Sequence, residues 1–190
     1  MAAQRFREAA RFFLDDLYGA KDYTRRDADL ARILPTLTTL LPAAALSNIA
    51  DAVELDALSE QLDGEMVARL GPAALAALAE SDYARAYRAC ANRADRERQI
   101  ALMRHIGNTL DGLTRMPLLD GTLILMRRPA RMAGLGELHG FLERGFGAFR
   151  RMGGAAPFLD TVEGRERLLM ERLFSGSANP FAGLGGQALS

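Results

Sequence analysis

The sequence predicts an all-α protein, a single irregular bundle of about eight helices. Three observations carry that prediction. Apolar residues recur at three- and four-residue intervals along most of the chain, the spacing that gathers them on one face of a helix. Strand signals are scarce, with no Asn-Gly or Asp-Gly turn between two runs of alternating apolar and polar residues. The periodic runs are separated by Gly, Pro and short capping residues, the punctuation of helix ends.

A first helix is predicted over 3–18, with Phe6, Ala10, Phe13, Leu14 and Leu17 in one stripe and Gly19 as its stop. Thr24 and Asp27 form a capping-box variant opening a second, which carries Leu30, Ile33, Leu34, Leu37 and Leu41 and is bent at Pro35. Pro42 opens a third over 43–62, expected to end at Gly64 and to be followed by a short helix, 65–70. An Ala/Leu-rich turn covers 73–79, and Ser81 caps a helix running to about Ala91. Asn92 and Asp95 start a long amphipathic helix over 93–115, stopped by Pro117. The apolar run 118–128 forms the next, cut at Pro129, and 135–152 another, ended by Gly153-Gly154. Asp160 and Glu163 form a capping pair for a last helix over 161–174. The core is expected on the 93–115, 118–128 and 135–152 helices.

Length and composition set the outer limits. The chain has 190 residues, which suits one helical domain, 1–175, and the uncharged Gly/Pro-containing stretch 176–190 reads as a flexible tail. Basic and acidic residues balance at 24 each, so no overall field draws nucleic acid or an anionic membrane, and neither partner is expected. Lys21 is the one lysine; the other basic residues are arginines spread over nearly every helix. Cys90 stands alone, which leaves no disulfide framework or multi-cysteine zinc site and fits a reducing, cytoplasmic compartment. Glu8 and Asp15 interrupt any signal-peptide core, and prolines and polar residues interrupt the uncharged stretch 33–50, so no membrane span is expected.

Chemistry-bearing patterns are few. His105 falls on the polar face of its helix and His139 at the edge of an apolar stripe; either can hold a cofactor such as haem, and each also reads as an ordinary surface or boundary histidine. Glu137-Leu138-His139 is an E-x-H, whose side chains splay apart where a di-iron helix pair needs E-x-x-H. No G-x-S-x-G, H-E-x-x-H or G-x-x-x-x-G-K-[ST] occurs, so no catalytic or metal-binding residue is assigned. Asp15 and Asp16 form a carboxylate pair that equally suits an outer face paired with arginine.

The 135–152 helix is the most informative segment. Leu138, Leu142, Gly145, Phe149 and Met152 make its apolar face, while Gly136, Gly140 and Gly147 gather on the other side. Four interior glycines cost a helix roughly 4 kcal/mol relative to alanine. Such a stripe reads as a place of close approach, either for the protein's own elements or for a second subunit, partner or flat ligand. Arg127, Arg128 and Arg131 cluster around Pro129 just before it, a patch for an anion or acidic partner or simply solvated helix ends.

The string FFLDDLYG, followed from Tyr23 by YTRRDADLARILPTL, resembles the opening of a family of uncharacterised bacterial all-helical proteins with an FFL-x-D-[LV]-Y-G motif. ELDALSEQLD, LMRRPARMAGL and the closing ERLF-x-G extend the resemblance over most of the chain. It implies an all-helical fold and carries no activity, cofactor or site residue. Function is therefore read from the residues: a non-enzymatic interaction or regulatory protein, using the glycine stripe and Arg127, Arg128 and Arg131 toward a second copy or a protein partner. The alternative is a bundle binding haem or another apolar small ligand, with Met103, Met116, Met126, Met132, Met152 and Met170 as a soft lining. An enzyme built on Asp15, Asp16 or His139 comes last, because no pair has a recognisable spacing.

Overall fold

The described backbone is helix joined by short turns, in a computed structural model that describes residue 6 and residues 42–116, 119–132 and 136–184. Six helices are formed there, with no strand: α1 (Ala43–Ala76), α2 (Glu80–Cys90), α3 (Arg93–Thr114), α4 (Leu119–Met132), α5 (Gly136–Met152) and α6 (Ala156–Ser175). The all-α expectation stands, and the count of about eight becomes six among the described residues. Phe6 is helical and buried; the rest of the two helices predicted before Pro42, with Asp15 and Asp16, lies outside the described residues.

Several boundaries move, each for a local reason. The Pro42 carbonyl accepts from the amides of Ala45 and Leu46 at 2.9 and 3.2 Å, so α1 starts as predicted. It does not stop at Gly64. Leu55, Leu62 and Met66 are buried on both sides of that glycine, and their continuing rhythm outweighs about 1 kcal/mol of helix propensity. The break comes at Gly71, whose φ of 73° and ψ of 168° kink the run. Ala79 precedes α2 in extended conformation without a side-chain cap, so Ser81 does not fill that role; Glu80 and Asp82 put negative charge at the positive end of the helix instead. Helix α4 continues three residues past Pro129, with Ala130 buried and holding the last turn down. Helix α6 begins at Ala156, earlier than predicted, because Pro157 suits a first turn and Phe158 and Leu159 are buried there. Asp160 and Glu163 do not form the predicted cap; both pair with Arg104.

The helices distribute over two compact units. One contains 50–106 and 157–184, with a core of Leu55, Met66, Tyr87, Ile100, Met103 and Leu173. The other contains 107–156 with 42–49, and its core joins Ala45, Leu113, Leu119 and Phe146, with Leu123 against them. Helix α3 thus serves both units, where the sequence suggested a single core on α3, α4 and α5. Residues 176–184 are not loose. Gly176 turns the chain at φ 77°, the Arg172 guanidinium donates to the carbonyls of Pro180 and Ala182, and the Phe181 ring meets Tyr83 edge-on at 5.9 Å.

Candidate interaction surface

Helices α4 and α5 pack against each other in the second unit. Leu119 and Ala130 are buried on the inner face of α4, and Leu123 joins the core. At about 100° per residue these three point one way, and Ile124, Arg128, Leu125 and Met132 point roughly opposite. That opposite face is apolar too. Ile124 is 56% exposed, Leu125 79% and Met132 89%. Helix α4 thus carries two apolar stripes, of which one is covered among the described residues.

The three arginines of α4 fall among these residues and differ in their engagement. The Arg127 guanidinium donates to Glu143 Oε1 on α5 at 2.6 Å. Burial alone opposes ionisation of Glu143, but the hydrogen bond and charge of Arg127 outweigh it and hold the carboxyl below its ordinary range. Arg128 and Arg131 are exposed and have no ionic partner among the described residues. The stem of Arg131 covers Gly136: its Cγ lies 3.5 Å from where a Cβ on that glycine would stand.

The glycine stripe of α5 lies next to arginine side chains. Gly136, Gly140 and Gly147 are half-buried on α5. A Cβ on Gly140 would meet the Arg144 guanidinium at 3.2 Å, and one on Gly147 that of Arg151 at 3.0 Å. Gly140 and Gly147 are thus met by flexible arginine ends of their own helix and Gly136 by the Arg131 stem of α4, with no backbone approaching them among the described residues. The stripe lines up with the α4 arginines at Gly136 and Arg131.

The two histidines belong to different units. His105 is exposed in the first unit, with Nε2 3.4 Å from Asp51 Oδ2. His139 is buried on α5, with Nε2 3.3 Å from Glu143 Oε1 but without a well-formed hydrogen bond. The methionines do not converge either: Met103 and Met170 belong to the first unit's core, Met152 is fully buried on α5, and Met116 and Met132 are exposed. Among the described residues no His, Cys, Asp and Glu gather as a metal-holding group, and no helix is long and apolar enough to cross a membrane.

Sequence reasoning missed two further features. Glu65, Arg69, Cys90, Asn92 and Asp95 line an open depression of about 510 Å³ in the first unit. Glu65 there accepts from Gln61 and Asn92, and these bonds hold its carboxyl below the ordinary range. Arg96, one turn after Asn92, is buried with its guanidinium 4.7 Å above the Tyr87 ring. A buried arginine on an amphipathic helix gives no signal in the sequence, since by period alone it reads as a solvated position.

Set beside known proteins, residues 1–180 match the family described as a domain of unknown function, DUF8198. No curated protein and no solved structure matches the chain.

Proposed function

Because the chain belongs to the DUF8198 family, whose description carries no activity, we propose from its geometry that it is a non-enzymatic interaction protein that docks a partner on the outer face of α4. The observation that carries this reading is the exposed strip of Ile124, Leu125 and Met132. Three large apolar side chains in a row on one helix leave water ordered over a surface that a partner would release. Arg128 and Arg131 beside them supply directional groups. The lone cysteine supports placing the protein in a reducing compartment, the cytoplasm.

The test is a pair of variants, Leu125→Ser and Met132→Ser, made together in the full chain. Both side chains project outward, so the circular dichroism spectrum and melting temperature are expected to stay at wild-type values. Size-exclusion chromatography of native-host lysate should show the wild-type protein in a larger assembly and the double variant released from it. A wild-type protein that elutes alone, or an assembly indifferent to the substitutions, overturns the reading.

A further inference from the structure

We propose that the occupant of the α4 outer face is an acidic amphipathic helix of another polypeptide, which sets apolar side chains on Ile124, Leu125 and Met132 and a carboxylate on Arg128. The proposal rests on the docking reading above and adds the chemistry of the partner.

The position of Arg128 decides it. At about 100° per residue, Arg128 falls between Ile124 on one side and Leu125 and Met132 on the other. It is not a rim charge. Any surface that covers the strip takes the guanidinium out of water as well, and a desolvated cation must be met by an acceptor. Among the described residues Arg128 and Arg131 have no carboxylate, whereas Arg127 is held by Glu143. A partner that covers the strip has to bring an acceptor with it. A carboxylate suits it best, since its two oxygens match the guanidinium fork.

The same residue weighs against the other occupants. A second copy docking through this strip on a two-fold axis would bring Arg128 close to its own image, with no carboxylate paired to it among the described residues to separate the charges. A lipid surface takes a helix whose charges flank its apolar face, and here a charge stands at the centre of only three exposed apolar side chains. An extended peptide has no sheet edge to pair with, because α4 satisfies its own backbone. A docked helix brings its backbone already hydrogen-bonded and presents its apolar residues on one face.

The experiment replaces Leu125 with the photo-crosslinking residue benzoyl-phenylalanine in the full chain, expressed in the cells that naturally make it. After irradiation the adduct is mapped by mass spectrometry to the crosslinked segment. The expected segment lies in a different protein, is net negative, and has apolar residues at helical spacing. A synthetic peptide of that segment should bind the wild-type chain, lose at least tenfold in affinity to Arg128→Glu, and recover when the facing carboxylate is changed to lysine. An adduct with this same chain, a lipid adduct, a neutral or basic segment, or binding that ignores Arg128→Glu overturns the acidic helix while leaving the docking face standing. No adduct at Leu125, with the chain folded by circular dichroism, overturns the docking face itself and this proposal with it.

Discussion

Arg127 of α4 and Glu143 of α5 are joined by a 2.6 Å hydrogen bond between Nε and Oε1, and the same carboxylate oxygen lies 3.3 Å from Nε2 of buried His139. Arg127 is more than half exposed, so the pair is expected to contribute at most about 1 kcal/mol to stability. Glu143 has a folded-state pKa below its ordinary value, which makes its contribution present above the unfolded pKa and lost as pH falls through the folded one. Glu143→Gln should therefore lower unfolding stability measurably at pH 7. The gap to wild type should close as urea titrations are repeated at pH values through and below the carboxylate range. A gap that persists in acid would show that Glu143 acts by packing and not by charge.

Glycines of the same helical kind differ in what surrounds them. Gly164 in α6 has open space where a Cβ would stand, and at Gly140 the neighbour is the movable end of Arg144. Gly164→Ala and Gly140→Ala are each expected to stabilise by about 0.5–1 kcal/mol, the helix-propensity difference, with Gly140 giving the smaller gain. Gly71 also has open space, but its φ of 73° is a conformation that L side chains rarely adopt. Gly71→Ala should destabilise by about 1 kcal/mol or more. Thermal melts of the three variants check this. A destabilised Gly140→Ala would mean that Arg144 cannot yield, so that the glycine is required for packing.

How much of this was readable beforehand varies by element. Helices α3 and α5 fall within a residue of their predicted ends, because Asn92 and Gly153-Gly154 bracket strongly amphipathic runs. The end of α1 was misread at Gly64, where burial of Leu62 and Met66 outweighed a local breaker. Asp160 and Glu163 resemble a cap by spacing, yet they turn to Arg104, a partner that spacing cannot reveal. The division into two units left no trace, since the apolar rhythm of α3 runs unbroken through Ile106 and Gly107. Most relevant to the docking face, residues 118–128 read simply as a strongly apolar run. Period alone could not say which stripe the protein covers; the packing of α5 against α4 decides it.

Tyr87 offers a spectroscopic check of the first unit's core. Burial is the main cause that pushes its phenol from the usual 10 up to about 12, with the positive charge of Arg96 opposing it. A folded pKa above the unfolded one gives stability that is full below the unfolded value and is lost as pH rises through the folded value. Wild-type protein should therefore lose stability progressively between about 10 and 12. Tyr87→Phe should flatten that loss and remove the latest-titrating part of the tyrosinate absorbance. If the absorbance change of Tyr87→Phe is lost instead from the part titrating near pH 10, Tyr87 is open to water and the core is looser than described.

Arg96 provides the sharpest energetic test, because its charge is buried with no carboxylate at ion-pairing distance among the described residues, the charges of Glu166 and Glu65 acting on it from further away. It is 8% exposed, its Nη1 is 3.5 Å from Gln99 Oε1, and Nε and Nη2 have no hydrogen-bond partner among the described residues. The stack on Tyr87 returns part of the desolvation cost, about 1–2 kcal/mol. Methionine has nearly the reach of arginine without the charge, so Arg96→Met should leave stability within about 1 kcal/mol of wild type or raise it. Arg96→Ala removes the packing over Tyr87 as well and should cost about 2 kcal/mol or more. Urea unfolding of both variants separates charge from volume. If methionine proves as damaging as alanine, the guanidinium is held by an interaction that contributes more than burying it costs, and Arg96 becomes a polar anchor of the first unit's core.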